Sequence, residues 1–102
     1  MADKKLTMAD IVEKINNDKK VQQLIKESAE HYDGKKYSES QVKFGELIEH
    51  IFTHHTSQHL QDQKLARNIA ESNSMGLVKE RLAKMGHSTQ ELQLNFKLRR
   101  PG

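Results

Sequence analysis

The stretch from Phe44 to Ala70 constrains this chain more than any other. At about 100° per residue, Phe44, Leu47, Ile48, Ile51, Phe52, Leu65, Ala66, Ile69 and Ala70 fall on one side of a helix. His55, His59 and Asp62 fall on that same side, so a polar layer is set into an apolar face. Glu46, Glu49, His50, Gln61 and Asn68 fall elsewhere. The pattern predicts one long helix from about Glu39 to Glu71, capped by Ser38 or Ser40, that serves as the spine of the fold. A break near Thr56-Ser57 is the competing expectation, because Ser57 can cap a new helix.

The flanking segments read as shorter helices laid along that spine. Thr7 and Asp10 form a capping box ahead of Met8, Ile11, Val12 and Ile15. Asp18 can cap a second helix whose apolar face is Val21, Leu24, Ile25, Ala29 and Tyr32, with Gly34 as its left-handed stop. Ser72 to Gly76 reads as a turn. Met75, Val78, Leu82 and Met85 share a face, but extending the spine would put them on its opposite side. A fourth helix is therefore expected from about Ser74 to Gly86. The only proline is Pro101, so nothing interrupts helices in the body of the chain.

After Gly86 the period changes. Leu92, Leu94, Phe96 and Leu98 alternate with Gln93, Asn95, Lys97 and Arg99, which is the pattern of a half-buried strand. A lone strand leaves its backbone unpaired. It is expected to pair with a second copy, with the weak candidate strand Lys36–Val42, or with a partner's sheet edge, or else to lie as an arm over a helical surface. The fold class expected is all-α: one domain over 1–102, about four helices around a long central helix, an extended C-terminal arm, and frayed ends at 1–6 and 99–102.

Composition bears on what such a domain can do. Only 34% of the residues are hydrophobic, so the core should be thin and a partner or a second copy would enlarge it. The absence of cysteine excludes a disulfide scaffold, a thiolate metal site and a cysteine nucleophile. The lysine-bearing N-terminus lacks the apolar run of a signal peptide, and a cytoplasmic protein is expected. The net charge of +3 is concentrated in the second half.

Three binding chemistries can be read from the residues. Leu92, Leu94, Phe96 and Leu98 are the candidate protein-docking residues. Lys79, Arg81 and Lys84, with Lys97, Arg99 and Arg100, are candidate nucleic-acid contacts, if the turn before the fourth helix makes a helix-turn-helix. His55, His59 and Asp62 have helical spacing that could hold zinc or another divalent transition metal, against the plainer reading of a hydrogen-bonded or solvated polar layer. His50 and His54 read as a second, solvated pair. No glycine-rich phosphate loop or nucleophile–base spacing is present. The leading expectation is a non-catalytic interaction protein, a subunit, adaptor or regulator, with a protein partner or homo-oligomer and no cofactor, membrane or small-molecule substrate. Nucleic-acid binding and metal binding are the alternatives.

Overall fold

A computed structural model describes residues 7–87. The expected arm at 92–98, the basic residues Lys97, Arg99 and Arg100, and the ends at 1–6 and 99–102 lie outside the described residues. What is described is all-α, with four helices and no strand among the described residues. They are α1 (Met8–Asn17), α2 (Lys19–Asp33), α3 (Tyr37–Ile51) and α4 (Gln63–Lys84). A π-helical turn, Phe52–Thr56, continues α3, and one further α-turn, Ser57–His59, follows it. No helix among the described residues is long and apolar enough to cross a membrane.

The start of the chain folds as its pattern dictates. Asp10 N–H donates to Thr7 Oγ1 at 3.1 Å, and Thr7 N–H donates to Asp10 Oδ2 at 3.0 Å, closing the capping box. Ile11 and Ile15 are buried from α1, and Val21, Leu24, Ala29 and Tyr32 from α2. The stop of α2 differs from expectation. Gly34 has φ −82°, and Lys35 takes the left-handed conformation at φ 63°. Lys36 N–H donates to His31 O at 2.8 Å and Lys35 N–H to Tyr32 O at 3.0 Å, so the Schellman motif is complete with Lys35 at its left-handed position.

Helix α2 packs most broadly on α3, and the contact is tight because both helices place a serine there. Ser40 Oγ donates to Ser28 O at 2.7 Å, and Ser28 Oγ donates to Ser40 O at 3.0 Å, with both side chains fully buried. Ser40 is thus a helix-packing residue and not a cap. The α3 N-terminus at Lys36 has no side-chain cap, and Lys36–Val42 is no strand, since α3 begins at Tyr37. Phe44, Leu47, Ile48 and Ile51 complete the core from α3, as the apolar stripe predicts.

The long spine is broken, at a different place from the expected Thr56-Ser57. Leu60 is extended (φ −123°, ψ 130°), and Asp62 caps a new helix by accepting from Lys64 N at 3.1 Å and Leu65 N at 3.2 Å. Gln63 Nε2 donates back to Leu60 O at 3.0 Å and Ser57 O at 3.3 Å, satisfying carbonyls that the broken helix leaves open. Leu65, expected inside, is 47% exposed.

The expected turn at 72–76 is helical, in the middle of α4. The buried residues of α4 are Ala66, Ala70, Ser74, Val78 and Leu82, a strict four-residue repeat. Four residues overshoot a full turn by about 40°, so this stripe winds through about 160° along the helix. A wheel that assumes one fixed face splits it into two. The winding matches a change of neighbour. Near its start α4 meets the π-turn and α3, where Thr56 Oγ1 donates to Ala66 O at 2.8 Å and Arg67 pairs with Glu49 at 2.7 Å. At its far end it meets α2, where His87 Nε2 lies 2.8 Å from Asp33 Oδ1 and its ring stands edge-on to Tyr32. Gly86 (φ 93°) ends the helix in a Schellman motif, with His87 N–H donating to Leu82 O at 2.9 Å, as its position predicts.

This geometry makes Gly76 a mid-helix glycine. Nothing lies within 4 Å of a Cβ built there. Gly76→Ala is expected to stabilise the protein by about 0.5–1 kcal/mol in urea unfolding, whereas in a glycine-dependent turn the same change would destabilise it.

Candidate functional site

The residues that converge are Asp18, His50 and His55, from three different segments. Asp18 sits between α1 and α2. Its Oδ1 accepts from Lys20 N at 2.9 Å and Val21 N at 3.4 Å, capping α2. Its Oδ2 lies 2.8 Å from His50 Nε2 and 2.8 Å from His55 Nε2. A carboxylate only accepts, so both rings present an N–H at Nε2. One side chain therefore caps a helix and ties it to two positions 32 and 37 residues away.

The π-turn makes this possible. On an α-helix, residues five apart are separated by about 140° and cannot share a partner. In the π-turn the hydrogen bonding runs i→i+5, so each turn takes more residues and residues five apart are brought toward the same side. His50 and His55 thereby face the same carboxylate. The same register shift buries Thr56, whose hydroxyl bonds to α4, so two tertiary hydrogen bonds offset the poorer π geometry.

Burial of Asp18 by itself disfavours its charge. The hydrogen bonds from His55 and His50, and then from the Lys20 and Val21 amides, outweigh it and hold the carboxyl well below the usual carboxylate range. The side chains of Asp18, His50 and His55 are 21%, 19% and 11% exposed, so the cluster is sheltered but reachable from solvent. The His54 ring leans on His50 with centroids 4.4 Å apart.

The residues singled out in the sequence are distributed differently. Of His55, His59 and Asp62, only His55 enters the cluster. His59 is exposed in the last turn before the break, and Asp62 is spent on capping α4. The chain break at Leu60 to Asp62 is what separates them. His50, read as solvated, is instead a partner of Asp18. Lys79, Arg81 and Lys84 do lie on α4, yet at about 100° per residue Lys79 stands well over 130° from the other two, and Lys84 is 3.9 Å from Glu80. The turn that a helix-turn-helix requires is absent from 72–76.

Sequence reasoning missed the cluster because it needs a π-turn. Two signals were present. His50 and His55 are five apart, and Asp62 precedes Leu65, Ala66, Ile69 and Ala70 in the manner of an N-cap.

A second feature is a shallow groove between α1 and α4. It is lined by Val12, Asn16, Ser72, Asn73, Gly76, Leu77 and Glu80. A second depression on α1, lined by Met8, Ala9, Glu13 and Asn17, shares Val12 and Asn16 with it. Ser72 and Gly76 are small and one turn apart, which keeps the α4 side of the groove open.

No family model matches the chain, no curated protein matches it, and no solved structure matches it.

Proposed function

We propose that this is a non-catalytic interaction protein, a subunit or adaptor, that assembles through the groove between α1 and α4. The observation that supports this reading is the lining of that groove and of the depression beside it. Val12, Leu77 and the 43% exposed Met8 supply an apolar floor, and Glu13 and Glu80 supply an acidic rim. The chain carries a segment of complementary chemistry. Leu92, Leu94, Phe96 and Leu98 are the alternating apolar residues, and Lys97, Arg99 and Arg100 are the basic ones. Apolar side chains entering a groove give affinity, and opposite charge at the rim gives orientation. The low hydrophobic share of 34% is a further reason for a second copy to add buried surface.

Light scattering on the full chain is expected to show self-association with rising concentration. Deleting residues 92–102 and substituting Gly76→Arg are each expected to abolish it. Gly76 is exposed in mid-helix, where arginine is tolerated, so the second variant fills the groove without unfolding the protein. A chain that stays monomeric throughout, or an assembly indifferent to both changes, would overturn the proposal.

A further inference from the structure

We infer that Asp18, His50 and His55 form a binding site for a divalent transition-metal ion of the zinc type. Among the described residues this is where three such ligand atoms gather: Asp18 Oδ2, His50 Nε2 and His55 Nε2 all lie within 4.8 Å of one another. Two imidazole nitrogens and one carboxylate oxygen are a borderline donor set, suited to Zn²⁺ and its neighbours and poorly suited to Mg²⁺ or Ca²⁺.

The donors must respace to hold an ion: the two imidazole Nε2 atoms, within 4.8 Å of one another, must settle at the metal spacing while each moves away from Asp18 Oδ2. Zinc bonds of about 2.0–2.1 Å in a tetrahedral site set the donors about 3.3 Å apart. Each imidazole now sits 2.8 Å from Asp18 Oδ2, so each must withdraw by about half an ångström. The carboxylate stays fixed, because its other oxygen remains held by the Lys20 and Val21 amides, as outer partners orient ligands in metal sites generally. Partial exposure of all three side chains leaves the fourth position to water.

The proton balance is simple. Each neutral ring moves its proton from Nε2 to Nδ1 and offers the Nε2 lone pair to the ion. Both hydrogen bonds to Asp18 are exchanged for metal bonds, and no net proton release is required. Two features oppose the ion: the positive end of α2, and the neighbouring Lys19 and Lys20. Two hydrogen bonds are also lost. Both effects weaken the site relative to one free of them.

The test uses the untagged 102-residue chain, stripped with chelator and titrated with Zn²⁺. Calorimetry is expected to show one equivalent bound. The melting temperature should rise by about 10–20 °C when free Zn²⁺ exceeds the dissociation constant about a hundredfold. His50→Ala and His55→Ala should each abolish the binding, and His59→Ala and Asp62→Ala should keep it. Loss of a tertiary hydrogen bond can unfold the first pair, so the wild-type protein carries an independent readout. In ¹H–¹⁵N spectra of the imidazoles, His50 and His55 should switch from Nε2–H to Nδ1–H on adding Zn²⁺, and His31, His54, His59 and His87 should not. No binding up to millimolar Zn²⁺, binding that survives folded His50→Ala and His55→Ala, or a tautomer switch at other histidines would each overturn the inference. The cluster would then be a hydrogen-bonded clasp and nothing more.

Discussion

Asp18→Ala is expected to destabilise the protein by about 2–4 kcal/mol, the sum of a lost helix cap and two stranded imidazole donors. The cap on α2 contributes about 1 kcal/mol. The larger share comes from His50 and His55, which would each keep a sheltered N–H with no acceptor. Partial exposure lets water reach them, which keeps the total below that of a fully buried pair. For a domain of this size the melting temperature should fall by about 10–20 °C, measured by far-ultraviolet circular dichroism. A fall of less than about 5 °C would show that the clasp contributes little beyond the cap.

The same residue sets an acid limit. Folding lowers the Asp18 pKa from its ordinary value of 3.8. Between the folded and unfolded values, the unfolded chain binds the extra proton, so stability rises with pH there. The stabilisation is fully present above the ordinary carboxylate range and is lost as pH falls below it, by up to about 1.4 kcal/mol per pH unit. Asp18→Asn should flatten the acid limb of the stability curve below pH about 4. An unchanged limb would assign acid sensitivity to other carboxylates, of which Asp10, held down chiefly by its hydrogen bonds with Thr7, is one.

Phe44→Ala is expected to cost about 3–5 kcal/mol, because Phe44 is 2% exposed and its removal leaves a cavity in the centre of the core. Val42→Ala, two residues away on the same helix, should change stability by less than about 0.5 kcal/mol, because Val42 is 60% exposed. The contrast, read from urea unfolding midpoints, tests the face of α3 and not merely its helicity. Equal effects at the two positions would mean that α3 is rotated from the orientation described.

The two substitutions probe opposite ends of what the residues declare in isolation. The core face of α3 is legible, because Phe44, Leu47, Ile48 and Ile51 repeat with the helical period and burial follows that period. The capping box at Thr7 and Asp10, the Asp18 cap and the stop at Gly86 are legible for the same kind of reason. Each is satisfied by backbone groups within a few residues, so no distant partner has a say.

What failed depended on which helix lies opposite. The winding stripe from Ala66 to Leu82 looks like two faces until α4 is seen to leave α3 and join α2 along its length. The serine pair between α2 and α3 is unreadable in sequence, because a serine in a helix has no preferred distant acceptor until another backbone arrives. Asp62 reads in sequence as a metal ligand or part of a polar layer, but the extended Leu60 ends the helix before it and leaves it to cap α4.

The Asp18, His50 and His55 cluster is the clearest division of labour. Sequence alone determined that Asp18 would cap α2, through its own local amides. Only the tertiary structure decided that its second oxygen would gather two histidines. That step requires the π-turn, which is unfavourable in isolation and is offset only by tertiary hydrogen bonds from His55 to Asp18 and from Thr56 to Ala66.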